Sequence, residues 1–177
     1  MTNDTRHWYV GYVKPYQERE SAKALTKLGV EYYLPVQQEK RQYKDRVKLV
    51  EALILPRMIF IRTDEQQRIR LLNDIYGLYA YMNSGGTYHP VIVPDRQMKD
   101  FRFMVEHGGG KVKVSSERFS PGDQVKVKDG PLKGLECELV SVGEKRCMAV
   151  HLGTVGTAML ELSTAQLALL DNKGEKS

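Results

Sequence analysis

The sequence predicts an α+β protein with two folded parts: an antiparallel sheet with helices, then a flexible linker and a small β-barrel. Up to residue 107, segments rich in aromatic and β-branched residues alternate with segments that have apolar residues at helical spacing. After Gly108-Gly109-Gly110 the apolar period falls to two, and turn residues recur at short intervals. This change of period marks the boundary between the two parts.

The N-terminal part opens with a predicted strand, Trp8–Val13, which Lys14-Pro15 ends. A helix is expected next, because apolar residues then recur at helical spacing before Gly29, a residue type that readily closes a helix. These apolar residues are Ala22, Leu25 and Leu28.

Three extended segments precede a second helix. We expect Val30–Val36, Gln37–Val50 and Leu53–Ile61 to be strands of one sheet. Asp64 and Gln67 resemble an N-terminal capping pair. The helix that they open is expected to carry three apolar residues on one face: Ile69, Leu72 and Tyr76.

The rest of the N-terminal part consists of Leu78–Met82 and Val91–Val93, which flank Ser84-Gly85-Gly86, and a third helix. Pro94-Asp95 opens this helix. Its apolar residues lie three and four positions apart: Met98, Phe101 and Val105. The resulting order, β-α-β-β-β-α-β-α, is typical of an α+β sandwich.

The C-terminal part shows strand-like alternation. Val125 and Val127 alternate with polar residues, as do the apolar residues that follow them: Leu135, Cys137 and Leu139. Short strands separated by turn residues predict a small β-barrel. We therefore expect domains at 1–107 and 121–172, a flexible linker at 108–120 and a polar tail at 173–177.

The composition favours a cytoplasmic binding protein. No apolar run is long enough to span a bilayer, and Cys137 and Cys147 lack the paired spacing of a metal knuckle. No HExxH metal pattern, phosphate-binding loop or GxSxG elbow occurs, so we expect no enzymatic activity, cofactor or metal. A net charge of +5 is compatible with contact to nucleic acid.

Four segments together resemble the NusG family of transcription factors: WYVGYVK, LPRMIFIR, IVPD and PGDQVKVKDGPLKGLECEL. They occur in the order of that family's N-terminal NGN domain and C-terminal KOW domain, over roughly residues 7 to 170. The segment RQYKDRVKLVEALILPRMIFIR is most similar to the UpxY-type antiterminators, which act on surface-polysaccharide operons. The resemblance thus implies a transcription elongation and antitermination factor.

The resemblance also implies three sets of binding residues. The first would form an apolar depression for the clamp helices of the largest RNA polymerase subunit: Val10, Tyr12, Met58, Phe60 and Phe101. The second would face the non-template DNA strand: Lys14, Arg68 and Arg70. The third would present apolar side chains on exposed loops to a ribosomal small-subunit protein or to Rho: Leu132 and Leu152. The alternatives are core packing for the apolar residues and a solvated face for the basic ones.

Two positions depart from the family pattern. Where the family usually reads Phe-Pro-Gly-Tyr or Phe-Pro-Asn-Tyr, this chain has Leu55-Pro56-Arg57-Met58. Cys137 stands where a glycine is common in the KOW segment. Two other functions remain open from the sequence: a ribosome-associated KOW-type RNA-binding protein, and a small enzyme acting on nucleic acid.

Overall fold

A computed structural model of the protein describes residues 4–172, and the expected polar tail at 173–177 lies outside them. The described chain forms two compact units. The first comprises residues 4–35 and 55–95, and the second comprises residues 36–54 and 96–172. The extended segment 36–54 therefore groups with the C-terminal half, whereas the sequence placed it with the N-terminal half.

The first unit is an antiparallel sheet with two helices on one face. Its strands are β1 (His7–Val13), β2 (Glu31–Tyr33), β5 (Met58–Thr63), β6 (Leu78–Tyr81) and β7 (Ile92–Val93). They follow the order β2-β5-β1-β6, with β7 also paired to β1. The helices are α1 (Glu18–Lys27) and α2 (Glu65–Asp74). The sheet and both helices were expected from the sequence.

The helices bury one side of β1 and β5. Ala22 and Leu25 of α1 join the core as expected, but Leu28 is exposed. The Asp64 side chain accepts a hydrogen bond from the Gln67 backbone N–H at 2.8 Å, which confirms the predicted cap of α2. After α1 the chain reverses at Gly29, whose positive φ of 68° suits glycine.

The predicted apolar face of α2 was correct only at Leu72, which is partly buried against the core. Ile69 and Tyr76 are exposed, while Leu71 and Ile75 lie in the core. Both pairs satisfy helical spacing, so periodicity alone did not distinguish them. The helix ends at Asp74, and Ile75 adopts an extended conformation that lets its side chain reach the core.

Leu53–Ile61 does not form the single strand that its apolar content predicted. The chain turns before β5, and Arg57 has a φ of 66°, which is unusual for a residue other than glycine. The Arg57 backbone N–H donates to the Glu18 carboxylate at 3.0 Å, and Glu18 is buried. This contact fixes the turn by pairing a buried carboxylate with the backbone.

The second unit contains a separate two-stranded ribbon, formed by β3 (Val36–Gln42) and β4 (Val47–Leu53). The two strands pair only with each other, from Val36 opposite Leu53 to Gln42 opposite Val47. The expectation that they belong to the sheet of the first unit was therefore wrong. An alternating strand pattern predicts a strand but does not identify its partner.

The rest of the second unit is helix α3 (Asp95–His107), which begins at the unit boundary, and a six-stranded sheet. The sheet consists of β8 (Lys113–Ser115), β9 (Asp123–Val127), β10 (Glu136–Val142), β11 (Lys145–His151), β12 (Thr157–Glu161) and β13 (Leu170–Asn172). A short helix, α4 (Thr164–Leu167), precedes β13. Met98, Phe101 and Val105 of α3 are buried, as their spacing predicted.

This sheet differs from the expected barrel in two ways. Its order is β13-β9-β10-β11-β12-β8, and the edge strands β13 and β8 do not pair, so hydrogen bonds do not close it. In addition, β8 lies inside the segment expected to be a flexible linker, because Val114 pairs with Ala158 of β12. The strand was missed because only β12, more than forty residues later, completes it.

Candidate functional site

The sheet of the first unit has a second face, opposite the helices, on which Val10 lies across from Phe60 and Tyr12 across from Met58. Val10 and Phe60 are completely buried, whereas Tyr12 and Met58 are partly exposed. Phe101, on α3, is also completely buried. Of the five residues expected to contact polymerase, the structure therefore exposes only Tyr12 and Met58.

Tyr12 lies between Met58, its partner across the strands, and Tyr79, a residue that the sequence did not single out. The rings of Tyr12 and Tyr79 stack with their centroids 6.3 Å apart and an interplanar angle of 23°. The Arg57 guanidinium donates to the Tyr79 hydroxyl at 3.4 Å, and Tyr79 is 49% exposed. We call Tyr12, Met58 and Tyr79 the tyrosine rim. Neighbouring residues of a strand point to opposite faces of the sheet, so an exposed Tyr79 could have been inferred from the apolar Leu78 beside it in sequence.

A lysine and two exposed tyrosines lie near the end of β1, and the lysine contacts one of the two rings. The Lys14 ammonium lies 3.9 Å from the centre of the Tyr76 ring, a cation–π distance. Tyr76 is 78% exposed, and Tyr16 is 94% exposed with a φ of 63°. A tyrosine held in solvent at an unfavourable φ suggests a constraint other than core packing. We call Lys14, Tyr16 and Tyr76 the tyrosine–lysine corner.

The two arginines of α2 occupy different environments. The Arg68 guanidinium forms an ion pair with Glu65 and lies 5.4 Å from the Tyr9 ring and 5.1 Å from the Tyr81 ring. Burial raises the pKa of the Tyr81 hydroxyl, although Arg68 opposes this effect. Arg70 is exposed, with a long contact of 3.5 Å from its Nε to a backbone carbonyl. Arg70 is thus the more accessible cation.

The leucines expected on exposed loops of the C-terminal part are buried. Leu132 is 6% exposed and Leu152 is 0% exposed. Leu132 lines a cavity of about 290 Å³ together with Met148 and Leu160. The Leu152 N–H donates to the Gly156 carbonyl at 2.9 Å, which closes a turn against the sheet. Neither side chain is presented to solvent, because both fill space beneath the turns that carry them.

Within residues 4–172, no group of three or more His, Cys, Asp or Glu side chains is placed to hold a metal ion. The helices in the same range are too short or too polar to cross a membrane. Cys137 is buried, and this burial raises the pKa of its thiol to about 12. Its φ is not positive, so the cysteine requires no glycine-like backbone at this position.

Comparison with known proteins gives one informative match. The family model described as transcription termination factor NusG matches residues 6–102. The comparison with curated proteins gives no match. A solved structure reported under the description "Domain interaction in Thermotoga maritima NusG" is similar to this chain. The identity is 18% and the TM-score 0.48, and the match covers 95% of this chain and 97% of that one. A chain of the MjSpt4:Spt5 complex in conformation A is 9% identical with a TM-score of 0.30, covering 93% and 96%.

Proposed function

Because the chain belongs to the NusG family, whose model matches residues 6–102, we propose that it is an elongation and antitermination factor that binds the clamp helices of RNA polymerase. The observation that carries this proposal is the tyrosine rim. Tyr12, Met58 and Tyr79 present adjoining apolar surface in the matched region. Aromatic side chains with apolar neighbours are typical anchors of protein interfaces.

The rim also changes how the apolar depression is assigned. Val10, Phe60 and Phe101 are completely buried, so in this proposal none of the three touches polymerase. Tyr12 and Met58 keep their expected role, and Tyr79 joins them. The stacking of Tyr12 on Tyr79 holds both rings in place before binding, which lowers the entropy cost of the contact.

Binding to an isolated clamp-helix fragment tests this proposal. Tyr12→Glu should weaken the affinity by about thirtyfold, equivalent to about 2 kcal/mol, because a carboxylate would be desolvated in an apolar contact. Tyr88→Glu is the matched control, since Tyr88 is 98% exposed and lies in a loop outside the rim. The thermal unfolding transition should be preserved in both variants. Unchanged affinity in the folded Tyr12→Glu protein would refute the assignment.

We propose further that the tyrosine–lysine corner and Arg70 contact the exposed non-template DNA strand. Lys14 supplies positive charge, and the exposed rings of Tyr16 and Tyr76 supply faces on which unpaired bases stack. Arg68 is less suited to this contact because Glu65 already pairs with it. Tyr76→Ala should weaken single-stranded DNA binding and leave clamp-helix binding unchanged, and the reverse pattern would contradict this proposal.

The specialised role rests on the resemblance of residues 41–62 to UpxY-type antiterminators. In this proposal the chain acts at surface-polysaccharide operons, and its C-terminal unit binds a ribosomal small-subunit protein or Rho. A map of chromosomal occupancy beside that of RNA polymerase tests the first part. Enrichment at a few operons would support specialisation, whereas occupancy of most transcription units would indicate a general factor. Cofractionation with ribosomes without transcription would favour the ribosome-associated alternative.

A further inference from the structure

The outer half of the ribbon formed by β3 and β4 is strongly basic and solvent-exposed. Residues 40–48 contain five cations and one acidic side chain, Asp45, and every one of these residues is exposed. The cations are Lys40, Arg41, Lys44, Arg46 and Lys48. In the part of the chain that the structure describes, none of the five takes part in an ion pair.

The cations are arranged unfavourably for the ribbon itself. Arg41 lies directly opposite Lys48 in the ladder, where side chains approach closely. Like charges at directly opposite positions destabilise a strand pair. Arg46 lies in the turn between the two strands, two residues before Lys48 in sequence. We call Arg41, Arg46 and Lys48 the basic face.

The ribbon is held at its base and exposed at its tip. The buried Gln37 side chain donates to the Val112 carbonyl at 2.9 Å and accepts from the Val112 N–H at 3.0 Å. The opposite side of the ribbon carries Val47 and Leu49, which are 59% and 60% exposed. A hydrogen-bonded base therefore anchors the basic face. Within residues 4–172 no acidic side chain forms an ion pair with it, although Glu39 lies on the same face of β3 as Arg41.

We propose that the basic face binds the phosphate backbone of double-stranded DNA, with the ribbon lying along the major groove and without base specificity. A two-stranded β-ribbon fits the major groove of B-form DNA, whereas the A-form RNA groove is too narrow and deep. The cations follow one another along both strands, so a continuous row of phosphates fits them better than a protein partner with a single acidic side chain would. The contact does not depend on polymerase, and it differs from the single-stranded site proposed above.

Fluorescence anisotropy with the full-length chain tests this proposal, using a mixed-sequence DNA duplex of about two helical turns. The double variant Arg41→Gln/Lys48→Gln should bind the duplex about tenfold more weakly at low salt. The slope of log affinity against log salt should fall in magnitude by about 1.8, since each phosphate contact contributes about 0.9. Its thermal stability should be equal or higher, because the like-charge pair is removed.

Two controls separate the basic face from net charge and from general disruption of the ribbon. Lys99→Gln/Lys133→Gln removes two exposed charges elsewhere in the second unit. Val47→Thr/Leu49→Thr changes the opposite side of the same ribbon. Both should leave duplex affinity within about twofold of the parent.

Three results would overturn the proposal. An equal loss in the charge control would show a net-charge effect. An equal loss of affinity for single-stranded DNA would show that the basic face does not select a duplex. An equal loss for an RNA duplex of the same sequence would exclude groove selection. Loss of clamp-helix binding in the tests of the polymerase proposal has no bearing on these outcomes, because polymerase is absent here.

Discussion

The side-chain amide of Gln37 and the backbone of Val112 form two hydrogen bonds with each other, 75 residues apart in sequence. The pair joins the base of the β3–β4 ribbon to the segment that precedes β8. Both groups are buried, so the side chain satisfies a backbone N–H and a carbonyl that water cannot reach. The ribbon, which would be marginal alone, depends on this contact.

Replacing Gln37 with leucine should therefore destabilise the protein. The substitution roughly keeps the size of the side chain but leaves the Val112 N–H and carbonyl unpaired. The expected loss in the free energy of unfolding is about 2–4 kcal/mol in total. Chemical denaturation measures this loss, and hydrogen exchange at Val112 should accelerate. Gln38→Leu is the control, since Gln38 is the exposed neighbour on the same strand. Equal destabilisation by both variants would show that the amide pairing is unimportant.

Arg57→Gly should stabilise the protein. The left-handed conformation of Arg57 costs about 1–2 kcal/mol for a residue with a Cβ, and glycine removes this cost. Glycine also has greater freedom in the unfolded chain, which lowers the folding stability by about 0.4–1 kcal/mol. The substitution should therefore raise the free energy of unfolding by about 0.5–1 kcal/mol in net. The hydrogen bond from the residue 57 backbone to Glu18 is retained. Arg57→Ala, which keeps the Cβ and loses the same guanidinium, should show no gain.

Phe60→Glu should abolish the cooperative thermal transition rather than act selectively on polymerase binding. Phe60 is completely buried, and a carboxylate there would have to be desolvated without a partner, at a cost of several kcal/mol. Phe60→Leu should remain folded and retain clamp-helix affinity close to that of the parent. A folded Phe60→Glu protein with weakened polymerase binding would restore Phe60 to the interface.

The sequence predicted local structure well because local structure depends on near neighbours. The cap at Asp64, the end of α1 at Gly29 and the buried spacing of α3 all involve residues within a few positions of each other. The separate β3–β4 ribbon and strand β8 were misassigned because partners distant in sequence define them. Neither an alternating pattern nor a glycine run identifies such a partner.

The candidate site was predicted less completely. Apolar residues on both faces of β1 and β5 indicated a second buried or binding face, but periodicity did not show which positions stay exposed. Val10 and Tyr12 are two residues apart in β1 and so point to the same face of the sheet, yet only Tyr12 is partly exposed. Leu132 and Leu152 follow turn residues in sequence, and the turns fold them inward. Exposure within one face is a property of tertiary packing.

The last prediction concerns the response of the C-terminal sheet to acid, which we assign to Glu138. Partial burial would raise the pKa of this carboxyl, but hydrogen bonds from the Gly122 N–H and the His151 ring outweigh burial and lower it. The His151 Nε2 lies 2.6 Å from a Glu138 oxygen, and its Nδ1 lies 3.1 Å from the Thr157 hydroxyl. Glu138 thereby ties the segment before β9 to β11 and β12.

A folded-state pKa below the unfolded value of about 4.3 fixes the sign of the effect. The ionised Glu138 contributes its full stability above the unfolded pKa, and this contribution is lost as the pH falls through the folded pKa. Glu138→Gln should therefore destabilise the protein at pH 7, and its difference from the parent should shrink progressively below about pH 4.

Urea denaturation of the parent and the variant between about pH 7 and pH 3 measures this difference. Glu144→Gln serves as the control, because Glu144 is exposed in the turn between β10 and β11. Its difference from the parent should stay small and constant across the range. A Glu138→Gln difference that does not change with pH would show that the variant disturbs packing, and the carboxylate would then not be the acid-sensitive group.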